Sequence, residues 1–375
     1  MKSHIVLGKI FGIEIGIHYS WFIIAALITF SLSDHFRAIN SEWSNTVVWG
    51  AAGLTALLFF ASLLAHELSH SLMARARKLP VNRITLFALG GVSVIEKEPP
   101  NALTEFLVTI VGPLTSVVLG LVLRGLAYSI RQDPEATPGL AILYWLGYIN
   151  ISLGIFNMLP GFPLDGGRVL RSVIWGATHN LERATRIASR VGQMIAILFI
   201  LTGIYQFFRG AGLGGLWISF IGWFLLQSAG ANYLEVKIKH ALEDLSAGDL
   251  MSRDCATVDG SISVQDFVDH YLLRTGRRCF VVTSQDRISG LITGHEVRAL
   301  DRNQWPITPV QGIMKPIDKV RAVSPETPAM QVLEMMAKDD LNQVPVTADQ
   351  KLVGMLTRSE ILEAVRSRLE LKPTE

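Results

Sequence analysis

A chain of 375 residues that is 50% hydrophobic and only 18% charged, against roughly 25% charged in soluble domains, is not an ordinary soluble enzyme. Its mean hydropathy of +0.36 averages two unlike parts, with 27 charged residues in positions 1–234 and 39 in positions 235–375. A net charge of +2 without a dense basic stripe excludes a dedicated nucleic-acid binder.

Six segments free of Asp, Glu, Lys and Arg approach or exceed the ~18 residues that mark a spanning helix: 15–33, 47–65, 106–123, 140–159, 191–208 and 213–234. They are apolar on every face, which soluble core helices of that length are not. The first follows a mixed segment, 10–17, and lacks a small-residue cleavage site, so it is expected to be a retained helix rather than a signal peptide. Basic residues fall on one side of this six-helix threading: Lys2 and Lys9, then Arg75, Arg77, Lys78 and Arg83, then Arg168, Arg171, Arg183, Arg186 and Arg190. Connections 34–45, 124–139 and 209–212 are poorer in them, so both termini are expected in the cytoplasm of a multi-pass cell-membrane protein. Tyr19, Trp21, Trp43 and Tyr233 stand near helix ends, where aromatic rings anchor at the interface. Cys255 and Cys279 are the two cysteines, and a reducing compartment favours free thiols over a disulfide.

His66-Glu67-Leu68-Ser69-His70 closes the second apolar segment. Residues four apart share a helix face, so two imidazoles can converge on one Zn2+ with Glu67 beside the attacking water. Two histidines and a glutamate are costly on an apolar helix unless they serve a metal, a cavity or partners. A hydrolytic zinc needs a third protein ligand, and Asp165 is the candidate, within Asn157-Met158-Leu159-Pro160-Gly161-Phe162-Pro163-Leu164-Asp165-Gly166-Gly167. Such Pro- and Gly-broken backbone is tolerated at membrane depth only where protein or water satisfies it.

With Leu89-Gly90-Gly91-Val92 and Gly112-Pro113-Leu114-Thr115-Ser116 between these motifs, the chain resembles the site-2 protease family of intramembrane zinc metalloproteases, in its prokaryotic branch with CBS domains. The resemblance implies that His66, His70 and Asp165 bind one zinc ion and that Glu67 is general base and acid. The substrate implied is a transmembrane segment of another membrane protein. Asn157 either donates to the developing oxyanion or bonds the interrupted backbone, and Asn150 lies about two turns earlier. Positions 81–95, rich in β-branched residues around Gly90 and Gly91, predict a short hairpin or re-entrant loop. The resemblance implies that it lies beside the active site, where its edge would pair with an unwound substrate. Gly112-Pro113 and Gly120 are expected to permit close helix packing and a kink, and His18, His179, His240, His270 and His295 to be structural.

Beyond position 234 short β-like runs alternate with helices, and two copies recur at an offset of about 63 to 65 residues. The clearest match sets Gly290-Leu-Ile-Thr293-Gly-His-Glu296 against Gly354-Met-Leu-Thr357-Arg-Ser-Glu360. The repeat resembles a tandem CBS pair that buries a shared sheet face. That resemblance implies an adenine nucleotide at Thr293, Glu296, Thr357 and Glu360, with Glu where the family usually has Asp. The same side chains can instead cap the following helices. A homodimer through the CBS pair is the other implied association.

The expected fold is thus a polytopic α-helical membrane domain of six transmembrane helices with a short re-entrant β hairpin, followed by an α/β tandem CBS domain. The expected divisions are 1–234, a linker 235–245, repeats 246–302 and 312–368 joined by 303–311, and a tail 369–375. A CBS-regulated transporter or channel shares this architecture but gives no reason for His66, Glu67, His70 and Asp165 together. A catalytically dead scaffold is weakened because no residue of the constellation is missing.

Overall fold

The computed structural model describes residues 5–87, 90–95, 99–130, 133, 137–253, 256–275, 279–284, 287–316, 321–348 and 351–371. Leu89 and Cys255 lie outside the described residues, as does the side chain of Cys279, and with them the expected thiol state. The chain forms two compact units, Met1–Val236 and Lys237–Glu375.

The first unit begins with β1 (Ile5–Ile10) and β2 (Ile13–Ile17), followed by α1 (Ser20–Ile39) and α2 (Asn45–Ala76). Next come β3 (Val81–Phe87), β4 (Gly90–Ile95), α3 (Ala102–Ser129), α4 (Pro138–Asn157), α5 (Asp165–Thr178), α6 (Leu181–Gln206) and α7 (Leu213–Leu242). Among the described residues six helices are long and apolar enough to cross a bilayer, and the 14-residue α5 is not one of them. Leu121, Val122, Leu198 and Leu201 stand exposed on these helices, as lipid-facing residues of a multi-pass membrane protein do.

The segment expected to open the first helix at Ile15 is instead a strand. Ile13, Ile15 and Ile17 alternate into the core at 0%, 2% and 6% exposure, and α1 starts only at Ser20. Phe11 and Gly12 both take positive φ, 49° and 75°, as the two-residue hairpin turn between twisted strands requires. β2 then pairs in parallel with β3, aligning Glu14 with Arg83 and Ile17 with Leu86. The expected hairpin is present as antiparallel β3 and β4, but it is half of a four-stranded sheet ordered β1-β2-β3-β4. β4 is therefore an edge.

α2 runs well past the apolar segment that predicted it, because residues 66–76 contain good helix formers. It stops where Lys78 turns left-handed at φ 63°, with Lys78 N–H donating to the Arg75 carbonyl and Leu79 N–H to the Ala74 carbonyl, a Schellman closure. α3 starts at Ala102, capped by Asn101, whose side chain accepts from Thr104 N–H at 2.8 Å. Glu105 thus falls inside the helix rather than before it. α5 was not visible as a separate helix, since two glycines and only 14 residues weaken its signal. It buries Arg171, one of the basic residues between the fourth and fifth apolar segments.

The second unit contains α8 (Ala247–Leu250), β5 (Thr257–Asp259), α9 (Val264–Phe267), α10 (Leu273–Thr275), β6 (Cys279–Ser284), β7 (Arg287–Thr293) and α11 (Gly294–Ala299). It continues with β8 (Lys315–Pro316), α12 (Ala329–Lys338), β9 (Gln343–Ala348), β10 (Lys351–Thr357) and α13 (Arg358–Leu371). The unit has two hydrophobic cores. One gathers Phe267, Phe280, Val282 and Ile292, and the other Leu242, Met336, Val346 and Leu356. The repeats exchange edges: β8, from the start of the second repeat, pairs with β7 of the first, and Ser252, from the start of the first, bridges Met355 in β10. Each sheet is completed by chain that belongs to the other repeat.

Candidate metal centre

α2 places His66 and His70 one turn apart with their rings inward, at 3% and 7% exposure. Asp165, the first residue of α5, comes up to meet them. Its Oδ2 lies 3.2 Å from His66 Nε2 and 3.2 Å from His70 Nε2, and the two Nε2 atoms are 3.2 Å apart. Among the described residues these three form the one trio able to hold a metal ion.

Each imidazole is fixed from behind. His70 Nδ1 stands 2.7 Å from the Val108 carbonyl, which can only accept, so Nδ1 carries the proton and Nε2 presents its lone pair. His66 Nδ1 stands 2.9 Å from Ser116 Oγ. Three acceptor atoms facing one another in a buried site repel until a cation lies between them. Zinc bonds of about 2.0–2.2 Å at tetrahedral angles separate neighbouring ligand atoms by about 3.3–3.5 Å, close to the spacing found here. The trio fits zinc.

Val108, Gly112 and Ser116 recur every fourth residue along one face of α3, and all three act on the histidines. Val108 and Ser116 orient the rings; Gly112 makes room, since a Cβ there would run into the His70 ring. From sequence Gly112 reads as a packing and kink residue, which does not include this role, and Ser116 enters there only as part of the Gly112–Ser116 signature. The four-residue spacing was the available signal.

Glu67 lies next to the ligands, and Gly91 of β4 packs on it so closely that a Cβ would come 2.5 Å from Glu67 Cγ. Gly90, at φ 138°, adopts a backbone that side chains disfavour and starts the edge strand. Gly166 and Gly167 let the first turn of α5 press on the backbone of residues 158–162. Asn157 Nδ2 donates to the Leu153 carbonyl at 3.1 Å, the backbone-bonding alternative for that side chain. Asn150 is fully buried and donates to the Leu146 carbonyl and to Ser62 Oγ, one turn before His66. His18 bonds Ser20, His179 ends α5 in a left-handed turn, and His270 bonds the Asp266 carbonyl.

In the second unit, Thr357 N–H and Oγ1 both bond Glu360 Oε2, at 2.7 and 2.8 Å, while Glu360 N–H donates back to Thr357 Oγ1 at 3.2 Å. Thr293 and Glu296 form the same capping box on α11. All four side chains expected at a nucleotide are thus engaged with one another. A cavity of about 660 Å³, lined by Ser246, Asp249, Arg253, Pro325, Glu326 and Val353, includes none of them.

The sequence profile of Peptidase family M50 matches residues 54–133 and 128–199, and that of the CBS domain matches 247–302 and 310–367. The provisionally named zinc metalloprotease sll0528 of Synechocystis sp. is 33% identical over 370 residues, covering 98% of this chain and 97% of the relative. Rip3 of Mycobacterium tuberculosis, also provisionally named a zinc metalloprotease, is 31% identical over 369 residues, 97% of this chain and 93% of its own. Among solved structures, the site-2 protease from Methanocaldococcus jannaschii is 28% identical with a TM-score of 0.44, covering 61% of this chain and 94% of that one.

Gly112→Ala should push the His70 ring out of line, and Ser116→Ala should free the His66 ring. Each is expected to weaken zinc binding about 10–100-fold, read by chelator competition on the purified full chain.

Proposed function

The chain belongs to peptidase family M50, the site-2 zinc metalloproteases, in a form carrying tandem CBS domains, and on that premise we propose that it hydrolyses peptide bonds within transmembrane segments of other membrane proteins. The observation that carries this reading is one constellation: three ligand atoms 3.2 Å apart, with Glu67 beside them and the edge strand β4 against Glu67.

In this reading His66, His70 and Asp165 hold a single zinc. Zinc bound there supplies a Lewis acid that polarises the scissile carbonyl and lowers the pKa of a water towards ~7. Glu67 takes a proton from the attacking water and returns it to the amide nitrogen as the C–N bond breaks. The products are a carboxylic acid and an amine, with no covalent enzyme intermediate.

A helical substrate hides its peptide bonds in its own hydrogen bonds and must be uncoiled first. The free edge of β4 offers main-chain donors and acceptors to an extended segment, and Gly91 lets that strand lie close to Glu67. In this reading β3 and β4 are the hairpin that lies beside the site, with Gly91 against Glu67. Asn157 becomes an oxyanion donor only if its bond to Leu153 is exchanged.

Glu67→Gln keeps the ligands and removes the base. It is expected to retain zinc while cleavage of a membrane substrate in proteoliposomes falls about 10²–10⁴-fold or more; turnover at the wild-type rate would sink the mechanism.

The basic residues at 75–83 and 168–190 favour a cytoplasmic location for both termini, the zinc-site end of the bundle and the CBS unit. Protease protection in sealed, oriented vesicles should leave the second unit digestible from the cytoplasmic side alone. The second unit is the regulator in this reading, taking an adenine nucleotide and pairing with a second copy. Binding at Thr293, Glu296, Thr357 and Glu360 would replace capping bonds with bonds to ribose and phosphate. Calorimetry of the full chain with AMP, ADP and ATP should show saturable heat, and its absence removes nucleotide control while leaving the protease reading intact.

A further inference from the structure

The third ligand arrives from a helix far along the chain, and something must set its reach. Glu105, in the first turn of α3, is fully buried, and Arg171 of α5 is nearly so. Arg171 Nε donates to Glu105 Oε1 at 2.8 Å, Nη2 donates to the same oxygen, and Arg168 Nε stands 3.8 Å from it. On its other side the Arg171 guanidinium lies over the ring of buried Phe162, 5.3 Å from the centroid. Arg171 therefore grips α3 while touching the loop three residues before Asp165, from a position six residues after it. Both flanks of Asp165 are tied to one point on α3, the helix whose Val108, Gly112 and Ser116 already set the two histidines.

We propose that the Glu105–Arg171 pair is the positioning device of the metal centre, holding Asp165 at the distance from the histidine pair that zinc requires. A buried ion pair is a poor choice for stability alone, because well-packed apolar residues of similar volume hold helices together as well or better. What it adds is direction. The guanidinium fork fixes rotation and depth of α5 against α3, which a sliding apolar contact does not. A ligand set must be held to within about 0.5 Å, so a small slip of α5 loses the carboxylate while the fold survives.

This rests on Asp165 being a zinc ligand, and the test separates the two claims. Arg171→Lys keeps the charge opposite Glu105 but lacks the fork and the flat face. In the metal-free full chain it should unfold at close to the wild-type temperature. Its zinc affinity should fall about 10–100-fold by chelator competition, and the visible spectrum of the cobalt-loaded protein should shift towards that of Asp165→Asn. In the Asp165→Asn background, Arg171→Lys should cost little further affinity, because the pair acts through Asp165. Wild-type affinity and cobalt spectrum in folded Arg171→Lys would overturn the proposal, as would an equal loss with and without Asp165. Should Arg171→Lys fail to fold, Glu105→Asp, which retracts the acid by one methylene, carries the same readouts. If Asp165→Asn binds zinc as tightly as wild type, the ligand assignment fails and this inference with it.

Discussion

Two imidazole nitrogens and a carboxylate oxygen held 3.2 Å apart inside a helical bundle are an unstable arrangement without a cation between them. Much of the first unit exists to keep them there. α3 is the common ruler: Glu105, Val108, Gly112 and Ser116 follow at helical spacing, the first meeting Arg171, the next two His70 and the last His66. Because these groups share one rigid helix, their relative positions are fixed by backbone geometry rather than by separate loops.

The surroundings explain why such economy is needed. In a bilayer there is no water to satisfy irregular backbone, so the broken backbone near the site has to find protein. The loop before Asp165 meets this demand by pressing its backbone onto α5 and α6 through glycines, with Phe162 N–H donating to the Ala188 carbonyl. The sheet does the same work at the other side of Glu67. Of its two edge strands, β1 is exposed and β4 is the one that packs against Glu67. Edges are usually a liability that proteins hide; under the proposed peptidase reading, this one is where an extended substrate would pair.

The second unit answers a different constraint. Each repeat is too small to close its own sheet, and the exchange of β8 for the segment at Ser252 makes the two interdependent. The capping boxes at Thr293 and Thr357 close the two equivalent helix starts with their own acids. If the proposed nucleotide binds there, it has to compete with these bonds.

The sequence by itself determined the six spans, because the bilayer imposes a length and an apolarity that composition alone displays. It determined His66 and His70 as a pair, since residues four apart on a helix are neighbours whatever else the chain does. It pointed to Asp165 through the broken backbone around it and to the tandem repeat through self-similarity. Only the tertiary structure decided that Ile13, Ile15 and Ile17 form a strand, because the partner that turns their alternation into a sheet lies beyond two transmembrane helices. Only the tertiary structure decided that Ser116 and Val108 orient the histidines, across 50 and 38 residues, and that Arg171 pairs with Glu105 across 66. Periodicity is written between neighbours in the chain, whereas the partner of a buried polar group depends on how deep and at what rotation two helices pack.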